Sequence, residues 1–177
     1  PEIFEETVFD FHTLKHRFRE IAFLTKGLKI IAKDNRGEEP KETVFHYEGG
    51  IREFVQYLNK STTALYEEIL YFEGTKDGVM VEVAMQHNDS YTENTYGFVN
   101  NITTPEGGTH VVGFRNALTK TFNEYARKNK LLKDSEPNLS GEDIREGLTA
   151  IISVKLEEPQ FEGQTKQKLG NSEARGA

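Results

Sequence analysis

The residue types best suited to chemistry lie near the end of the chain, where Gly163-Gln164-Thr165-Lys166-Gln167-Lys168 sets an amide and an ammonium two positions apart. In an extended loop, residues i and i+2 face the same way, so Gln164 and Lys166 can approach one ligand together. A lysine meets a terminal phosphate as a point charge, and a glutamine positions water or a phosphate oxygen; both are recognised parts of phosphoryl-transfer sites. The competing reading is an ordinary solvated loop, which composition alone favours.

A second set is cationic. Arg115, Lys120, Arg127, Lys128 and Lys130 fall on or near one long helical segment, off its apolar stripe, where they can face a nucleic-acid backbone. Glu124 interrupts them and no aromatic residue is offered for base stacking, so a solvated helix face is the plainer reading. His12 and His16 have the i, i+4 spacing of two metal ligands, but Thr13-Leu14-Lys15 follows His12 where a metalloprotease helix needs a glutamate. Glu67-Glu68 and Glu142-Asp143 read as solvated or helix-start charges. No Walker A sequence, dinucleotide fingerprint or nucleophile elbow is present, which argues against a self-contained nucleotide pocket.

Composition narrows the classes further. With 177 residues the chain suffices for one well-packed domain, which would bury roughly 70% of its unfolded surface. It has no cysteine, which excludes disulfides, thiolate-held metals and thiol catalysis. The opening Pro1-Glu2-Ile3-Phe4-Glu5-Glu6 is unlike a signal peptide, and no apolar run nears the roughly 20 residues of a bilayer span, so a cytoplasmic protein without membrane contact is expected. The net charge of -7 argues against a general nucleic-acid coat. The imbalance is local: residues 41–100 carry 4 basic and 10 acidic side chains, residues 101–154 carry 7 of each, so a cationic face remains open to the second half.

Several elements must position these groups. Thr7-Val8-Phe9 predicts a short strand, and Asp10 caps a helix carrying Leu14, Phe18, Ile21 and Ala22, closed by Gly27. The alternation over Leu28 to Lys33, the turn residues Asp34-Asn35-Arg36-Gly37 and Thr43 to Tyr47 predict a hairpin. Ile51, Phe54, Val55 and Leu58 form a helical stripe. Ile69 to Phe72 and Val79 to Gln86 flank Lys76-Asp77-Gly78 as a second hairpin, and a strand follows near Tyr96 to Asn100. Pro105-Glu106-Gly107-Gly108 precedes a long helix with the stripe Phe114, Leu118, Phe122 and Tyr125, expected to run to about Leu132. Ser140 and Asp143 have capping spacing, and Leu148, Ala150, Ile152, Val154 and Leu156 alternate as a strand. Beyond Glu157 the chain is polar and loop-like, and disorder is expected there unless neighbours hold it. The interleaving predicts an α+β fold or a mixed α/β sandwich.

Longer strings are more specific than these patterns. Tyr47-Glu48-Gly49-Gly50-Ile51-Arg52-Glu53-Phe54-Val55 resembles a signature of the DNA gyrase B and topoisomerase IV B-subunit family. Asn100-Asn101-Ile102, Glu106-Gly107-Gly108-Thr109-His110, Gly113-Phe114-Arg115, Gly141 to Leu148, Gln160 to Lys166 and Lys168 to Glu173 follow in that family's order. The resemblance covers essentially the whole chain and points to the family's transducer domain.

That resemblance implies part of an ATP-hydrolysing type IIA DNA topoisomerase, an isomerase that passes one duplex through another. It implies an α+β fold, a mixed sheet with helices on one side and a left-handed crossover like that of a ribosomal-protein family, against the usual handedness. The core is expected over residues 1–157, and residues 158–177 are expected to carry the ATP-sensing loop. Gln164 and Lys166 match residues that touch the γ-phosphate, Lys166 being the catalytic sensor, and Arg115 matches an arginine lining the cavity for transported DNA. ATP and Mg2+ belong to the whole enzyme; this stretch alone is expected to bind neither and to be inactive, because the nucleotide pocket precedes it and the metal site for DNA cutting follows it. The implied partners are the N-terminal nucleotide-binding domain of the same polypeptide, a second copy of it in an ATP-dependent dimer, a gyrase A-type partner and double-stranded DNA. Topoisomerase IV, a related ATP-driven clamp of the mismatch-repair or chaperone type, and a stand-alone RNA-binding domain of the ribosomal-protein type are the alternatives.

Overall fold

A computed structural model describes residues 3–177; Pro1 and Glu2, part of the opening read above as unlike a signal peptide, lie outside the described residues. The chain divides into two compact units, Pro1–Phe54 and Val55–Ala177.

In the first unit, α1 (Phe11–Leu24) starts where its sequence says it should. The Asp10 carboxylate accepts from the His12 amide at 2.8 Å and from the Thr13 hydroxyl at 2.9 Å, satisfying an otherwise unpaired helix-start donor. The hairpin of β1 (Lys29–Asp34) and β2 (Lys41–His46) is antiparallel with Ile31 opposite Val44. Its inward residues Ala32 and Phe45 meet Ala22 of α1, with Phe18 and Tyr47 packed around them. Phe23 stacks on Tyr47 at 3.7 Å and on Phe54 at 4.6 Å between ring centroids. The strand expected at Thr7-Val8-Phe9 does not form: among the described residues it has no partner strand, and Val8 and Phe9 are exposed. A three-residue extended segment cannot satisfy its own backbone. The unit boundary falls within α2 (Ile51–Leu58).

The second unit is built on a five-stranded mixed sheet. Its strands, in spatial order, are β3 (Leu70–Lys76), β4 (Val79–His87), β7 (Leu148–Lys155), β5 (Asn94–Val99) and β6 (Ile102–Thr103). All pairings are antiparallel except β5 with β7, so a crossover must join those two, and it contains α3 (Thr109–Lys128) and α4 (Gly141–Arg145). Leu118 of α3, Ile144 of α4 and Ala174 of α5 (Glu173–Gly176) all enter one cluster with Ile152, Val154, Val83 and Met85, which places these helices over one face of the sheet. The α+β class expected from sequence is the observed one.

Three local departures have physical causes. Strict alternation in β7 suggests one buried face, but Leu148 through Val154 are all buried because the strand is central, covered on both sides. The long helix ends at Lys128, before Leu132, and Tyr125 is 62% exposed, whereas Asn123 is buried. Asn123 exchanges hydrogen bonds with the Leu139 backbone, donating at 3.0 Å and accepting at 2.7 Å, so the returning segment makes a polar residue an interior one. The polar stretch beyond Glu157 packs closely: Leu169 is fully buried in the main core, and Asn171 and Ala174 are buried too. Phe161 packs against the same core from a partly buried position, and hydrogen bonds from the backbone and from Asn171 supply the remaining attachment.

On the opposite face, Gln86 and Thr149 lie directly across β4 and β7 and belong to a buried polar network. The Asn59 amide donates to Gln86 at 3.0 Å, while its oxygen accepts from Thr149 at 2.7 Å and Asn88 at 3.1 Å. Each buried dipole thus finds a partner, as its desolvation requires.

Candidate functional site

The Gln164–Lys166 segment is the tip of a short loop closed by two limbs. Phe161 and Leu169 form an antiparallel bridge, the Glu162 amide donates to the Lys168 carbonyl at 2.8 Å, and the Gly170 amide donates to the Gln160 carbonyl at 2.7 Å. Buried Asn171 fastens the base: its oxygen accepts from the Gln160 amide at 2.5 Å and its nitrogen donates to the Glu158 carbonyl at 3.1 Å. The base is stitched to the start of α3. The Leu169 amide donates to the Gly107 carbonyl at 3.1 Å, and its carbonyl accepts from the Thr109 amide at 3.0 Å. Gly108, at φ +134°, is obligatory at this junction, since a Cβ there would overlap the Leu169 backbone.

Above this base the tip is open. Gln164, Thr165 and Lys166 are exposed. The two lysines of the loop differ in a way that their sequence does not announce. Lys168 lies 2.9 Å from Glu162, whose hydrogen bond raises the lysine pKa. Lys166 has no salt bridge among the described residues; its ammonium stands 6.0 Å from the Phe161 ring, at the outer limit of a cation–π contact. Lys166 also adopts φ +57°, a left-handed conformation that costs a non-glycine residue about 1 kcal/mol or more. The segment is a turn rather than the extended loop expected from sequence, with the Lys166 amide donating to the Gly163 carbonyl at 3.4 Å, so the same-facing rule for residues i and i+2 does not apply. The tip offers one ammonium without a salt bridge among the described residues and one exposed amide. A groove of about 670 Å3 is lined by such residues as Phe72, Val81, Met85, Phe114, Leu118 and Phe122, which do not suit a triphosphate.

Arg115 lies on α3, nearly two turns beyond the junction with the loop, and is not alone. Its Nε donates to Glu93 Oε1 at 2.9 Å and its Nη2 lies 2.7 Å from the same oxygen, while Arg145 of α4 donates through Nε to Glu93 Oε2 at 3.0 Å. The Thr95 hydroxyl adds a bond to Oε1 at 2.7 Å. Burial is the largest single influence on Glu93 and opposes its charge, but the hydrogen bonds from Thr95, Arg115 and Arg145 together outweigh it and hold the carboxyl below its usual range. Sequence reasoning singled out Arg115 and missed both Glu93 and Arg145. Arg145 lies in one of the family strings, Gly141 to Leu148, yet only the fold brings it to a residue 52 positions away.

His110, from the Glu-Gly-Gly-Thr-His string, is interior: it is 2% exposed. Thr104 donates to the Gly97 carbonyl at 3.0 Å, so His110 Nε2, 3.1 Å from that hydroxyl, carries the proton and donates. Its Nδ1 has no partner, and burial pushes its pKa down to about 4. Gly97 on β5 leaves the space that this ring fills, because a Cβ there would stand 2.6 Å from Nε2. His12 and His16 are exposed or nearly so on α1, with His16 3.7 Å from Glu20. Among the described residues no three His, Asp or Glu side chains gather as metal ligands, and no helix is long and apolar enough to cross a membrane.

Comparison with known proteins adds a lineage to this geometry. The profile described as DNA gyrase B matches residues 50–177. The DNA gyrase B protein of Halalkalibacterium halodurans is 60% identical over 171 residues, 97% of this chain and 27% of that protein. The Bacillus cereus gyrase B protein is 58% identical over 176 residues, 99% of this chain and 43% of that protein. Among solved structures, the 43K ATPase domain of Thermus thermophilus gyrase B, in complex with an aminocoumarin, superposes with a TM-score of 0.86 at 40% identity, covering 99% of this chain and 47% of that one. The topoisomerase IV ATP-binding domain of Francisella tularensis gives 0.78 at 26% identity, covering 98% and 46%. The chain therefore spans less than half the length of each of these relatives.

Proposed function

The chain belongs to the DNA gyrase B family, and from that premise we propose that its sheet-bearing unit is the transducer of a type IIA topoisomerase of the gyrase B type. In this reading the unit couples ATP binding and hydrolysis in a preceding domain to clamp closure and DNA passage. Two observations favour a transducer that begins near residue 50, narrower than the 1–157 core expected from sequence: the family match starts at residue 50, and the compact unit starts at Val55. Residues 1–54 are then assigned to the end of the nucleotide-binding part. Gyrase is favoured over topoisomerase IV by the gyrase B relatives at 58–60% identity.

The observation that carries the proposal is the loop: an exposed Lys166 without a salt bridge among the described residues, on a base hydrogen-bonded to the first turn of α3. ATP supplies the free energy through the binding and loss of its terminal phosphate. Lys166 holds that phosphate by charge and Gln164 by its amide. Because the base is continuous with α3, a pull on the tip is felt by the helix that carries Arg115. A charge-assisted contact is worth roughly 1.5–3 kcal/mol, enough to shift a two-state domain orientation about tenfold or more. The proposed partners are the nucleotide-binding domain of the same polypeptide, a second copy of that polypeptide, a gyrase A-type protein and duplex DNA near Arg115.

The test joins this chain to its nucleotide-binding domain and compares ATP binding and hydrolysis before and after Lys166→Ala. Hydrolysis is expected to fall roughly 10²-fold with nucleotide binding largely kept, because the lost contact belongs to the transition state. Unchanged hydrolysis removes Lys166 from the mechanism.

A further inference from the structure

We propose that Glu93 is a charge brake on Arg115: it holds the guanidinium in one pose and limits how strongly that residue grips a duplex phosphate. The inference rests on the reading that Arg115 faces transported DNA and goes on to name what sets the strength of that contact.

The geometry supplies the reason. One carboxylate serves two guanidiniums, with Arg115 on Oε1 and Arg145 on Oε2. The exposure is graded: the Arg145 side chain is 17% exposed, Glu93 24% and Arg115 41%. Arg145 is thus the inner support, Glu93 the link and Arg115 the outward member. Arg115 uses Nε and Nη2 on Glu93, and its Nη1 makes no hydrogen bond within the described residues. One face of the guanidinium is therefore left for a ligand while the other is held. With Glu93 ionised the three groups sum to a single positive charge. An approaching phosphate meets the attraction of two guanidiniums and the repulsion of one carboxylate a few ångströms away.

Such a site suits a duplex that must pass. Neutralising phosphates releases counterions, and log K falls with log salt by about 0.9 for each phosphate engaged. An Arg115 already shared with Glu93 neutralises less than one phosphate. Arg145 and Thr95 are positioning residues: they fix both oxygens of Glu93, so the carboxylate cannot swing away when a phosphate arrives.

The experiment uses the full-length protein containing this chain, with a short fluorescent duplex titrated over a range of salt concentrations. Glu93→Gln keeps the shape and removes the charge. Binding at low salt is expected to tighten roughly threefold to fivefold, and the salt dependence to steepen by up to about 0.9. Placed on an Arg115→Ala background, the same substitution should tighten binding clearly less, because the guanidinium it still releases, that of Arg145, is the inner one, only 17% exposed; equal tightening on both backgrounds overturns the proposal. A purely structural role for Glu93 would instead weaken binding or leave the salt slope unchanged, and either result overturns the proposal. If Arg115→Ala alone leaves affinity and slope as they were, the DNA-facing reading of Arg115 fails first and the brake with it. If Arg115→Ala weakens binding while Glu93→Gln does not tighten it, only the brake fails. Should Glu93→Gln not fold, Thr95→Val loosens the same carboxylate and is expected to shift binding in the same direction by a smaller factor; no shift would be decisive against the proposal.

Discussion

Two cations on this protein are built in opposite ways. Lys166 stands at an exposed loop tip with no carboxylate among the described residues paired to it, on a backbone held left-handed. Arg115 rises from a 20-residue helix with its charge shared with a carboxylate that a second arginine also holds. An uncompensated ammonium gains the full interaction with a phosphate when one arrives and loses it when the phosphate leaves, which suits a sensor. A shared guanidinium gains little from any one phosphate, which suits a surface along which DNA must move.

The two cations should differ most in activity at the loop. The fall in hydrolysis expected for Lys166→Ala is the largest effect, and a comparable fall for a distant loop change would dissolve the distinction. Next is the anchor. Leu169→Ala removes a fully buried side chain from the main core and loosens the loop base, so a loss of about 2–5 kcal/mol in unfolding free energy is expected by chemical denaturation. A loss well under 1 kcal/mol would mean that the tail is only lightly attached.

The junction between the two regions can be probed through pH. His110, one residue into α3 from the loop contact, has its pKa lowered in the folded state to about 4 from an ordinary 6.5. The unfolded chain therefore binds a proton that the native protein refuses. This contribution to stability is fully present above about pH 6.5 and is lost as pH falls through 4, amounting to on the order of 3 kcal/mol. Unfolding free energies measured across that window should decline more steeply for the parent protein than for His110→Gln; equal slopes would show that His110 is solvated.

The smallest effect is expected within the loop itself. Lys168→Ala removes a lysine already paired with Glu162 at an exposed site, and should leave hydrolysis within about twofold of the parent. If Lys168→Ala and Lys166→Ala cost equal activity, the phosphate is read by the summed charge of the loop, and the unpaired state of Lys166 carries no special role.

Much of the local structure is legible in the residues themselves. Asp10 caps α1 and Ser140 accepts from the Asp143 amide at 3.1 Å to start α4, because short polar side chains reach nearby backbone donors whatever the rest of the chain does. The hairpins and their alternation are likewise visible at short range, and the ordered strings from Tyr47 to Glu173 carry the family. Tertiary structure decided the rest. The burial of both faces of β7 depends on groups brought from afar: Leu118 and Ile144 pack on the face of Ile152 and Val154, and Asn59 accepts a hydrogen bond from Thr149 on the other. Asn123 is interior because Leu139 folds back onto it, and Leu169 is core because Gly107 and Thr109 offer it backbone partners. The unlike states of Lys166 and Lys168, and the sharing of Glu93 by Arg115 and Arg145, depend on where side-chain tips meet in space. Local sequence sets propensity over a few residues, whereas ion pairing and burial are set by distances between groups that the chain separates widely and the fold alone brings together.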